Sequence, residues 1–115
     1  MSRVLLFLAV AALASCSKGA EADLPSISQA RSLAAEWALV NEEAARNHLS
    51  AAYAETMRES IHEQLQTTAG SLTQPHASYA AEIAALLREP AEAPPAALRA
   101  HASKLKQVED RLESD

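Results

Sequence analysis

The chain has 115 residues, with 15 acidic and 10 basic side chains and a formal net charge of −5. That balance excludes a general affinity for nucleic acid or for anionic lipid surfaces, both of which call for clustered positive charge. One cysteine excludes an internal disulfide, and two glycines exclude a glycine-rich phosphate loop.

Arg3 gives the start of the chain a positive charge, and Val4 to Leu13 form ten residues without a polar side-chain atom. A bilayer span needs about 20 apolar residues, so the run is too short to cross. Basic start, apolar run and small residues in that order are the pattern of a secretory signal, with a short buried helix as the alternative. Cys16 follows at once. It has no second cysteine to pair with, and a catalytic thiol belongs inside a fold beside a base. Leu13-Ala14-Ser15-Cys16 resembles the lipobox of bacterial lipoproteins, with a branched apolar residue three before the cysteine and two small residues after it. The resemblance implies that Leu13, Ala14 and Ser15 are the recognition site of signal peptidase II, which cuts between Ser15 and Cys16. It also implies a diacylglyceryl group on the Cys16 thiol, an acylated new amine, and residues 1–15 as a removed signal peptide. In the Gram-negative members of that family, aspartate after the cysteine retains the protein at the inner membrane. Ser17 lacks that feature, so the resemblance implies an outer-membrane anchor facing the periplasm, or the outer face where there is one membrane. One acyl chain holds only marginally at about 0.8 kcal/mol per methylene, and two or three make attachment stable.

Loss of residues 1–15 removes Arg3 and moves the net charge to −6; the one phenylalanine, Phe7, leaves too. Trp37, Tyr53 and Tyr79 remain, too few and too scattered for a base-stacking platform. Residues 16–26 read as a lipidated flexible tether, since SKGAEADLPS carries Gly19, Pro25, charges and small residues without helical period.

Residues 27–115 read as the folded domain. Alanine supplies 27 of the 115 residues and no stretch alternates with period two, which points to helix throughout. The spacing predicts a first helix from Ile27 to Arg46, capped by Ser26 or Ser28, with Ile27, Leu33, Trp37, Val40 and Ala44 on one face. Asn47 suits a left-handed C-cap and Ser50 an N-cap, so NHLS reads as a break; one continuous helix through His48 is the rival. A second helix follows from Ser50 to Leu72, with Leu49, Tyr53, Met57, Ile61, Leu65, Thr68 and Leu72 as its apolar stripe. Pro75 to Arg88 is a shorter third helix, faced by Tyr79, Ile83, Leu86 and Leu87. EPAEAPP then interrupts the chain, and Pro95 opens a fourth helix with Leu98, His101/Ala102, Leu105, Val108 and Leu112 as a seam. Short connections make this an all-α, small antiparallel bundle of three to four helices.

Chemistry is sparse. Glu55, Glu59 and Glu63 lie four apart, and Glu59-x-x-His62 has the spacing by which di-iron bundles present two ligands. Such bundles need it twice, with two more carboxylates. A solvated charged face, with Arg58 pairing to Glu55 or His62, is therefore preferred. Glu59, His62 and Glu63 stay as weak metal candidates, and no cofactor is expected. The four histidines, His48, His62, His76 and His101, are dispersed; His101 reads as a partly buried structural residue beside the seam. Leu72-Thr73-Gln74 begins like the Leu-Thr-x-x-Gln motif of periplasmic stress chaperones but places glutamine two positions early, so Thr73 reads as a helix-end residue. Two functions follow. The first is a non-enzymatic, membrane-anchored module with a structural or interaction role, meeting an envelope protein or a second copy through the 47–50 break and the EPAEAPP loop. The second is a ligand-handling module, either holdase-like or a weak metal binder. The body also resembles small helical lipoproteins of Gram-negative bacteria, which implies location and architecture only.

Overall fold

A computed structural model describes residues 19–114. Leu13, Ala14, Ser15, Cys16 and Ser17 lie outside the described residues. A 3-10 turn, Gly19–Asp23, leads into four helices: α1 (Leu24–Ala45), α2 (Ala51–Gly70), α3 (Ser78–Leu87) and α4 (Pro95–Ser114). The described residues contain no strand, and none of their helices is long and apolar enough to cross a membrane.

The boundaries follow from local chemistry. Gly19 opens the turn at φ 82°, a left-handed conformation that glycine adopts without a Cβ penalty. Pro25 stands in the first turn of α1, where its missing N–H is no loss. The helix therefore starts three residues before the expected Ile27. Ser26 and Ser28 lie inside α1 rather than at its cap, and Ser26 Oγ meets Ser71 Oγ at 3.0 Å. The flexible-tether reading fails from residue 19 onward. Ala20 packs on the core and Asp23 is 1 % exposed, because its carboxylate is needed by a loop fifty residues away.

α1 and α2 are two helices. Asn47 has φ 61°, His48 N–H donates to Glu43 O at 2.9 Å and Asn47 N–H to Ala44 O at 3.1 Å. These are the paired bonds of a Schellman C-cap, which satisfy the last carbonyls of α1. Ser50 Oγ then accepts from Tyr53 N–H at 3.1 Å, satisfying an orphan donor of α2. The α2 stripe turns out only in part. Ile61, Leu65 and Thr68 are buried, but Tyr53 is 54 % exposed and Ala54 is buried in its place. Steps of four residues advance about 400°, so such a stripe drifts about 40° per step around the helix. Two steps back from Ile61, Tyr53 has rotated out of the core.

Cross-helix pairs fix the arrangement. Arg99 near the start of α4 bonds Glu42 near the end of α1, and Glu109 near the end of α4 bonds Arg31 in the first half of α1 at 2.6 Å. Asn41 of α1 meets Arg58 of α2, whereas Asp23 meets Thr73 beyond the end of α2. Each neighbour thus runs opposite to α1. Ile27, Leu33, Ile61, Leu65, Ile83, Leu86, Leu98 and Leu105 form the centre of the core, each contributing about 1.5–3 kcal/mol when fully buried. Alanines 30, 34 and 38 line the inner face of α1 and let its neighbours approach closely.

Candidate functional site

The connection between α3 and α4 is pinned to α1 by three hydrogen bonds. Trp37 Nε1 donates to Ala91 O at 2.9 Å. Asn41 Nδ2 donates to Ala91 O at 3.1 Å and to Ala93 O at 2.8 Å. Its other amide atom, Oδ1, accepts from Arg58 Nε of α2 at 2.7 Å. Asn41 is 5 % exposed, so one buried amide ties α1, α2 and the loop together. Ala93 is also buried, and its N–H closes a turn on Pro90 O at 2.9 Å. Three prolines, 90, 94 and 95, stiffen the loop. Sequence reasoning expected Arg58 to pair with Glu55 or His62; the amide is the stronger claim because it sits in a partly buried site.

Pinned in this way, the loop forms one bank of a groove of about 1060 Å³, and the first two-thirds of α2 form the other. Leu49, Ala44, Ala51 and Ala91 give its floor what apolar surface is accessible, with Trp37 and Ala54 buried just beneath at 3 % and 1 % exposure. Glu55, Glu59 and Glu63 edge the α2 bank, and Glu89 and Glu92 edge the loop bank. Among the described residues, Glu55, Glu59, Glu63 and Glu92 enter no ion pair. The groove's one described cation, Arg58, is already held by Asn41.

The structure brings the three metal candidates into this groove without making them a ligand set. Glu59 and Glu63 are exposed, while half-buried His62 lies with Nε2 3.4 Å from Leu87 O. No group of three His, Cys, Asp or Glu among the described residues is arranged to hold a metal ion. The chain matches no protein-family model, no curated protein and no solved structure at a significant level. Its functional reading therefore rests on its own residues.

Two further polar clusters escaped sequence reasoning. In the first, Asp23 Oδ1 accepts from Thr73 N–H at 2.8 Å and Thr73 Oγ1 at 2.9 Å, while Oδ2 accepts from Gln74 N–H at 3.1 Å and Tyr79 Oη at 2.5 Å. Burial pushes this carboxyl up, but the bonds from Tyr79, Thr73 and Gln74 together outweigh it and hold the group below the usual 3.8. The Tyr79 hydroxyl is raised by its burial, then by its bond to Asp23 and by that carboxylate's charge. Every lone pair is used, so the cluster is a latch closing the α2–α3 connection on the start of α1. Thr73 lies beyond the Ser71 C-cap of α2, and instead of capping that helix it bonds Asp23 at the start of α1. In the second cluster, His101 Nδ1 meets Glu82 and Nε2 meets Glu89 at 3.0 Å, with Lys104 Nζ 3.7 Å from Glu82. A carboxylate only accepts, so the ring satisfies both partners when both nitrogens carry protons. His101 is thus a structural bridge from α4 to α3 and to the loop that banks the groove. His48 bonds Glu43 at the α1 cap, and His76 is exposed between α2 and α3.

Proposed function

We propose that this protein is a non-enzymatic docking module, held at a membrane by lipid on Cys16, with the groove between α2 and the 88–94 loop as its contact face. The anchor half of this reading rests on residues 13–17. The observation that carries the interaction half is the groove's position. It lies toward the end of α1 remote from Gly19, and Asn47 at its far end is about 35 Å along the helix axis from Leu24 at 1.5 Å per residue. A lipid near the start of the body would leave such a groove facing away from the bilayer, open to a protein of the same compartment, which for an outer-membrane anchor is the periplasm. Both banks are preformed, the loop by Trp37 and Asn41 and the helix by its Ser50 cap, so little ordering opposes binding.

Photocrosslinking in cells tests the reading. A crosslinker at Ala51 or Glu92, both exposed on the groove, should give a discrete heteromeric adduct or a dimer. The same probe at exposed Glu113 on the last turn of α4 should not. Identical products from both places would defeat the proposal.

A further inference from the structure

The charge of the groove narrows the partner's chemistry. Three glutamates at i, i+4 spacing repel one another mildly along α2, and Glu92 faces the same space from the opposite bank. A cleft edged by one sign of charge focuses its field into the cleft and draws in the opposite charge. A row of carboxylates by itself would attract any counter-ion. Here it borders an apolar strip built from Leu49, Ala44, Ala51 and Ala91 over the buried Trp37 and Ala54, and the space of about 1060 Å³ stands at the upper end of the roughly 300–1,000 Å³ of ordinary small-molecule pockets. The groove follows α2 from Ala51 to Glu63, a path of about 18 Å. A single metal ion or small amine would leave most of it empty, and an acidic or neutral segment would leave the rim charges facing each other.

We infer that the groove takes a basic amphipathic segment of a partner protein, with lysines or arginines against Glu55, Glu59, Glu63 and Glu92 and an apolar side chain between them on the floor. This rests on the docking reading above and adds the chemistry of what docks. The rim supplies on-rate and selection against acidic segments, and the floor supplies the water-excluding contact that holds the complex.

Trp37, the chain's one tryptophan, is buried beneath the groove with its Nε1 bonded to Ala91 O, so its emission reports changes in the groove lining above it. The probe is a synthetic peptide of about twelve residues, helix-length for this groove, with lysine pairs spaced by leucines. Comparison peptides replace every lysine by glutamate, or every leucine by serine. The lysine–leucine peptide should shift the emission saturably, and more weakly as salt is added. The other two should bind at least about tenfold less well. Combined E55Q, E59Q, E63Q and E92Q should weaken binding by at least about tenfold, while E36Q with E113Q, exposed elsewhere, should leave it unchanged. Circular dichroism confirms that the variants fold. Equal binding of the glutamate or serine peptide, or undiminished binding by the four-fold glutamine variant, overturns the inference. So does a response to zinc or calcium alone that the peptide does not reproduce. Crosslinks from the groove to a partner whose captured segment is neutral or acidic would leave the docking reading standing and remove this one; absence of both crosslinks and peptide binding removes both.

Discussion

Replacing Asn41 by alanine removes the amide that ties three elements together. Three hydrogen bonds are lost, two to loop carbonyls and one from the Arg58 guanidinium. Neutral bonds contribute about 1 kcal/mol each and bonds to a charged group about 1.5–3 kcal/mol. Ala91 and Arg58 border the groove and regain water, which returns part of that sum, whereas the Ala93 carbonyl loses its partner in a buried site. The expected loss is about 3 kcal/mol, a large share of a domain stability of about 5–15 kcal/mol. For a body of this size it lowers the melting temperature by roughly 12–24 °C. Asn41→Asp separates the hydrogen-bond account from a simple volume effect. The carboxylate keeps the Arg58 contact but turns an oxygen toward the two carbonyls that need donors, so it should destabilise despite preserved size. Urea unfolding followed by far-ultraviolet circular dichroism and by Trp37 emission measures both. A loss below about 1 kcal/mol for Asn41→Ala, or a neutral Asn41→Asp, would refute the idea that this amide holds the loop in place.

Other consequences are as direct. Asp23 has its folded-state pKa below the ordinary 3.8, so its stabilisation is present above that value and is lost as pH falls through and below it. Asp23→Asn should therefore cost about 2 kcal/mol at neutral pH and flatten the acid limb of the stability profile. Urea midpoints across the acid range check this, and an unchanged acid slope would count against the latch. Asn47 holds a left-handed φ of 61°; Asn47→Val should destabilise by about 1–2 kcal/mol, and Asn47→Gly should be neutral or slightly stabilising. Thermal melts of the two variants should differ in that order. Glu109→Gln should destabilise, because Glu109 is 7 % exposed beside Arg31 and the guanidinium loses its charged partner; rescue by Arg31→Gln in the double variant would show the coupling.

What was legible in the sequence was local. Asn47 and Ser50 announce their caps within a few residues, EPAEAPP announces a break, and the periodic leucines and isoleucines of the four helices find the core. Tyr53 was misplaced because a four-residue step drifts around a helix, a geometric fact that a list of spacings hides. The groove was half legible. Glu55, Glu59, His62 and Glu63 stand out on α2, and both the 47–50 break and the EPAEAPP loop were marked as contact regions. Their convergence depends on Trp37 and Asn41 reaching Ala91 over 54 and 50 residues, and no local rule encodes that. Asp23 shows the same limit more sharply. In isolation it is a charge in a polar stretch, and its burial follows from Thr73, Gln74 and Tyr79 arriving from elsewhere in the chain.

The anchored-module account is tested most directly by the intact mass of the protein extracted from membranes, with wild type beside Cys16→Ala. It predicts a wild-type mass equal to residues 16–115 plus acyl chains, and a Cys16→Ala chain that carries no lipid and leaves the membrane fraction. An unmodified full-length wild-type chain, or one cut elsewhere, would contradict the anchor and leave a helical bundle with an acidic groove and no assigned place in the cell.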